Sequence, residues 1–256
     1  MGAPHPEPVA ERVELALDAL RRKATKRTLD GMARYGLPSE HALGVSVGDI
    51  QRVARVLGRD HDLALALWKT GVYEARLLCA FVGEPQRLTA AQMDRWCRDF
   101  DNWGVVDTLC FKLFDQSPHA WGRIEVWKGR RDEFGKRAAF VLLACLAAHD
   151  KAAPDAPFLQ GLRTIEAGAT DDRNFVKKGV NWALRMIGRR NAKLHATAVA
   201  LSRKLAASPD AAAAWTGRGA LKELTSPAVA KRFGKAAAAA AGKAVKSKSN
   251  SKSKKP

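Results

Sequence analysis

Residues 135–144, GKRAAFVLLA, set Lys136 and Arg137 directly ahead of an unbroken run of small and apolar residues. The run continues to Ala148, too long for an ordinary strand and without the alternation of a half-buried one, so it reads as a buried helix. The same arrangement, a cation ahead of small and apolar residues, recurs on either side. It appears in EARLLCAF (74–81, around Arg76) and in VKKGVNWALRMI (176–187, around Lys178), with WGVVDTLCFKLF (103–114, around Asp107) between. Arg76, Arg137 and Lys178 lie 61 and 41 residues apart. Divergent repeats of roughly 30–45 residues are the mark of two-helix solenoid units.

Working outward, helical periodicity covers residues 9–29, 47–57, 62–69, 73–82, 89–100, 103–114 and 120–128. It resumes over 133–148, 158–167, 173–189, 192–207 and 211–224. A loop is expected around 31–44. Thr89 with Gln92 has the form of a capping box, and Ser46 with Asp49 a weaker form of one. The expected architecture is all-α, a HEAT-like helical-repeat solenoid with a concave basic face. Residues 1–8 are expected to be a flexible start, 9–230 the repeat domain, and 231–256 a basic low-complexity tail.

The 256 residues carry 44 Lys and Arg against 26 Asp and Glu, a net charge of +18. Nine of the cations fall after residue 230, where there is no acid, which leaves 35 against 26, about +9, for the rest. The folded part is therefore basic in its own right, which favours a polyanionic partner. No stretch approaches the ~20 apolar residues of a transmembrane helix, and no secretory signal is visible at the start. Cys79, Cys97, Cys110 and Cys145 sit singly in apolar segments and are expected to be free, buried thiols of a reducing cytoplasm. P-loop, dinucleotide-glycine and HExxH motifs are absent. His41, His61, His119, His149 and His195 are solitary in sequence, with His149 placed to cap a helix end. Neither a metal nor a cofactor is expected.

What remains is a set of unusually placed polar and aromatic residues. Trp103 and Asp107 share one helix face at a spacing of four. On spacing alone this pair also fits a core tryptophan beside a first-turn aspartate. Lys178, Trp182 and Arg185 likewise share a face, and equally fit a core tryptophan under a solvated basic stripe. Arg137 alone fits a surface charge or an ion-pair partner. If the repeats share a register, these side chains converge on one basic face. There aromatic rings suit a sugar or base, and cations suit phosphates.

The segments FDNWGVVD (100–107), KRAAFVLLACLAAHD (136–150) and DDRNFVKKGVNWALRMIGRRN (171–191) resemble the AlkD-like family of DNA alkylation-repair glycosylases, from about Gly31 to Ser226. The resemblance implies a HEAT-like fold. It also implies a monofunctional glycosylase that hydrolyses the N-glycosidic bond of cationic N3- or N7-alkylated purines in double-stranded DNA, and a monomer is expected because no heptad or apolar interface stretch stands out. It maps the family's site onto Asp107 as the catalytic acid group, Trp103 and Trp182 as the flanking aromatics, and Arg137 as a phosphate contact. Lys136, Lys177, Lys178 and Arg185 are expected as accompanying DNA contacts. The alternative from another functional class is a non-catalytic module binding damaged or branched DNA.

Overall fold

The computed structural model describes residues 7–229 and 231–233. Among them every regular element is helical. The chain divides into two compact units, Met1–Leu142 and Leu143–Pro256. The first holds α1 (Val9–Arg21), α2 (Lys26–Gly31), α3 (Val47–Leu57), α4 (His61–Lys69), α5 (Tyr73–Val82), α6 (Ala90–Arg98), α7 (Trp103–Lys112) and α8 (Ala120–Trp127). The division falls within α9 (Glu133–His149). The second unit continues with α10 (Asp155–Gly168), α11 (Asn174–Gly188), α12 (Ala192–Ala206) and α13 (Ala211–Leu224).

The helices are short because the sequence punctuates them. Among the described residues, eight begin on a Ser, Thr, Asp or Asn whose side chain accepts the backbone N–H three residues on: Thr25, Ser46, Asp60, Thr89, Asn102, Asp132, Asn191 and Asp210. Each such bond satisfies one of the N–H groups that a helix start leaves without a partner. Both expected pairs make the first bond of a capping box, Ser46 Oγ accepting from Asp49 N at 3.2 Å and Thr89 Oγ1 from Gln92 N at 3.1 Å, while the Gln92 amide oxygen pairs with His61 Nε2.

One expected helix, 9–29, is two helices. α1 ends at Arg21, and Thr25 turns extended to start α2, its hydroxyl accepting from Thr28 N. The break is held from outside, because Thr25 N donates to the Gly44 carbonyl at 2.9 Å. Gly44 lies at φ +83°, and a Cβ there would stand 2.7 Å from the Thr25 carbonyl oxygen. Only glycine meets both demands. The expected loop at 31–44 contains a single 3-10 turn, Met32–Tyr35. Its far end is fixed by the fully buried Glu74 of α5, which accepts the N–H groups of Leu43, Gly44 and Val45 at 2.8, 2.8 and 3.1 Å.

The first unit's core contains a column of rings. Trp68 stacks on Trp96 at 4.5 Å, and Phe100, Phe114 and Trp127 follow. The indole N–H groups of Trp68 and Trp127 donate to Asp99 and Asp94 at 2.7 and 2.8 Å, so the buried rings keep their polar edges satisfied. All four cysteines are buried and outside any disulfide. Burial pushes the Cys79 thiol up, and pushes Cys97 up to about 12.

In the second unit α12 and α13 pack backbone against backbone at Gly217. A Cβ at Gly217 would lie 2.2 Å from the Ala206 nitrogen and 2.7 Å from the Leu205 carbonyl carbon. Gly217→Ala is expected to cost about 2–3 kcal/mol, a drop of roughly 5–10 °C in Tm. Gly122→Ala in α8, where nothing lies within 4 Å, should be neutral or slightly stabilising. Thermal melts of the two variants check both outcomes. Of the stretch read as a tail, residues 231–233 are helical and Phe233 stacks on His195 at 4.5 Å. Residues 234–256 lie outside the described residues, as do 1–6 at the other end.

Candidate functional site

The site is built on the start of α7. Asn102 caps it, Oδ1 accepting from Val105 N at 2.9 Å. Gly104, Val105, Val106, Leu109 and Cys110 are buried, which fixes the helix's rotation against the core. Trp103 and Asp107 are left half-buried, one turn apart on the remaining face. The indole N–H of Trp103 donates to the Tyr35 carbonyl at 2.8 Å. The 3-10 turn of the preceding loop therefore sets the ring's position.

Asp107 meets Arg137 of α9 in a two-pronged ion pair. Nε donates to Oδ1 at 3.0 Å and Nη2 to Oδ2 at 2.8 Å. The two partners are not equally accessible: Arg137 is 6% exposed, while the Asp107 side chain is 22% exposed. The carboxylate is thus the more accessible partner, though still largely buried. Each carboxylate oxygen has a lone pair beyond the one taken by Arg137. Burial raises the Asp107 pKa above its ordinary 3.8, and the charge and hydrogen bonds of Arg137 oppose that rise. Two effects of opposite sign thus act on one carboxylate, and desolvation is the larger.

Tyr73, at the start of α5, also belongs here and was not picked out by spacing. A Cβ on Gly104 would stand 2.6 Å from its hydroxyl, so the phenol lies directly on the first turn of α7. Burial pushes its pKa up, and the charges of Glu74, Asp101 and Asp107 add to the shift. Tyr35 and Tyr73 border a cavity of about 310 Å³ that Arg27, Leu37 and Leu77 also line. The only sequence signal for Tyr73 was an aromatic at a helix start.

Arg76 behaves differently from its counterparts in the repeated pattern. It lies 5.1 Å over the Trp68 ring and 3.5 Å from Asp101, so it serves the aromatic core. Lys136 is half-buried beside Arg137. The remaining expected residues lie on α11 of the second unit. Trp182 is half-buried and Lys178 is exposed, its ammonium 5.6 Å over the Phe175 ring. Lys177 sits 5.1 Å over the half-exposed Trp215. Arg185 is ion-paired with Glu223, which Arg189 shares at 3.3 Å. Among the described residues no group of three or more His, Cys, Asp or Glu is placed to hold a metal ion. No helix among them is long and apolar enough to cross a membrane.

The sequence model of the DNA alkylation repair enzyme family matches residues 16–224. The chain belongs to that family. The match takes in α7, α9 and α11 whole, and with them every candidate site residue. No curated protein matches the chain. Among solved structures, one described as from "a new family of proteins related to the HEAT-like repeat DNA glycosylases with affinity for branched DNA structures" aligns with a TM-score of 0.68 at 19% identity. That alignment covers 75% of this chain and 82% of the other. It shows the fold of this DNA alkylation repair family member to be HEAT-like. An engineered protein aligns over 86% of this chain and 92% of its own at 14% identity, with a TM-score of 0.39.

Proposed function

We propose that this DNA alkylation repair family member is a monofunctional DNA glycosylase that releases cationic N3- and N7-alkylated purines from duplex DNA, with Asp107 as its essential carboxylate. The observation that carries this reading is the partly exposed Asp107 carboxylate, held in two-pronged contact by the buried Arg137 one turn along α7 from Trp103. Most glycosidases need two carboxyl groups because one must protonate the leaving group. An alkylated purine already carries the positive charge. When its C1′–N bond breaks, the electron pair moves to the base nitrogen and neutralises it. The sugar is left as an oxocarbenium-like cation, water adds its oxygen to C1′, and the water's proton is lost to solvent or to Asp107. One carboxylate suffices to stabilise the sugar cation and orient that water. Trp103 would pack on the deoxyribose and attract its developing charge.

Arg137 acts through Asp107. Resemblance alone gave it a phosphate, but two of its nitrogens are directed at Asp107 and it is almost wholly buried. We therefore assign it as a positioning residue that keeps the carboxylate ionised despite its burial. Lys136, Lys177, Lys178 and Arg185 serve as DNA contacts. Arg185 is the weakest of the four, since Glu223 competes for it.

The test is release of 7-methylguanine or 3-methyladenine from methylated duplex; a protein that releases neither overturns the proposal. A pH profile examines the roles more closely. Catalysis needs the ionised carboxylate, so the rate should fall as pH drops through a pKa lying above the usual aspartate value. Arg137→Gln removes the opposing charge and should move that acid limb further up. An unmoved limb would count against the assignment of Arg137. The second reading, a binding module without chemistry, is favoured by one observation: the related solved structure is described as having affinity for branched DNA. Tighter binding of a four-way junction than of linear duplex, with no base release, would establish it.

A further inference from the structure

The seam between α3 and α5 carries two cavities. The first is the one beside Tyr73. Val47, Gln51, Ala54 and Gly58 follow one another at helical spacing along α3 and its cap, as do Tyr73, Leu77 and Phe81 along α5. At the far end of both stripes lies a second cavity of about 430 Å³, walled by Ala54, Gly58 and Phe81 and rimmed by Arg55, Arg59 and Lys112. The three cations come from two separate segments, Arg55 and Arg59 from the end of α3 and Lys112 from the end of α7, and no acid lines the space. Among the described residues none of the three is ion-paired.

The plain explanation for these cations is that the C-terminal ends of α3, α5 and α7 meet here. Arg59 donates to the Gly83 carbonyl and Arg55 Nε to that of Gln51 at 3.3 Å, as helix-end cations do. The charges do not balance on that account. Three helix ends supply about half a negative charge each, against three full positive ones. The cleft keeps an excess of more than one positive charge around an apolar wall that includes the Phe81 ring.

We propose that this cleft seats a backbone phosphate, with its sugar against Phe81, of the DNA strand whose lesion lies at Asp107. From Tyr73 to Phe81 is roughly 12 Å along α5, which is three to four nucleotides at about 3.4 Å per strand charge. The seam therefore leads a strand away from the candidate site to a cationic anchor. This inference rests on the reading of the chain as a DNA-acting protein, and not on base release.

The experiment measures binding of unmodified duplex across a salt series, for the wild type and for Arg55→Gln/Lys112→Gln. Arg59 is kept because it also closes a helix end. Loss of one phosphate contact should reduce the magnitude of the slope of log K against log salt by about 0.9. Lys151→Gln, on the exposed surface of the other unit, serves as the reference substitution and should change the slope by less. A double variant with the wild-type slope and affinity overturns the proposal, provided its thermal melt is that of the folded protein. A free nucleotide offers the same chemistry, so deoxyadenosine monophosphate is titrated in parallel. If it binds saturably in a manner the double variant abolishes while the DNA slope is unchanged, the cleft is a nucleotide site and the strand assignment falls. Unmodified duplex carries no lesion, so these results stand apart from any failure to detect glycosylase activity.

Discussion

Asp107→Asn is expected to reduce release of alkylated purine by about 10²–10³-fold while leaving the affinity for unmodified duplex within a few fold. A full charge at about 4 Å from the sugar cation is worth about 4 kcal/mol at an effective dielectric near 20, close to a thousandfold in rate. The Arg137 guanidinium paired with the carboxylate offsets part of that, which sets the lower figure. The substitution also alters the ion pair. Asparagine keeps an acceptor for one guanidinium nitrogen but turns an N–H₂ toward the other, so a buried cation loses its counter-charge. A thermal melt must therefore accompany the kinetics. Single-turnover release from methylated duplex at saturating protein is the deciding measurement. An asparagine variant that is folded, binds DNA and releases base at the wild-type rate would remove Asp107 from the chemistry.

Glu74→Ala is expected to be the most damaging single change to the fold, costing about 4 kcal/mol or more. Its carboxylate accepts from three backbone N–H groups, two of them in buried contacts. Each donor left without an acceptor costs about 1–3 kcal/mol. Glu74→Gln separates charge from geometry. Its Oε1 can still accept from Gly44 and Val45, while its amide N–H₂ would face the Leu43 N–H, donor against donor. It should fall between the wild type and the alanine variant in chemical denaturation. The loop that Glu74 anchors runs back to Tyr35, whose carbonyl holds Trp103. Fluorescence of Trp103 should therefore report the loss, and alanine and glutamine variants as stable as the wild type would refute the argument.

The sequence made much of this legible. Helix content, the short-helix pattern and the caps at Ser46 and Thr89 follow from local chemistry, and Trp103 with Asp107 follows from a spacing of four. The positions that escaped are those whose partners are distant in the chain. Glu74 reads as an acid in the first turn of a helix, a common surface placement, because its three donors lie about thirty residues earlier. Arg137 reads as a cation heading an apolar run, and nothing local says that Asp107, thirty residues back, claims it. Arg185 looked free beside Trp182, yet Glu223 lies 38 residues away in sequence and in contact in space. The break between α1 and α2 was hidden for the same reason, since the group that stabilises it belongs to Gly44. Periodicity reports which face is buried and is silent on who answers a polar group there.

The burial of the four cysteines bears on what this protein must survive. Methylating agents attack sulfur as the thiolate, the strongest nucleophile that a protein offers. Burial raises the pKa of Cys97 and of Cys79 and so holds both as thiols at neutral pH. In a member of a DNA alkylation repair family, the four thiols are thus placed out of the reach of alkylating agents in solvent.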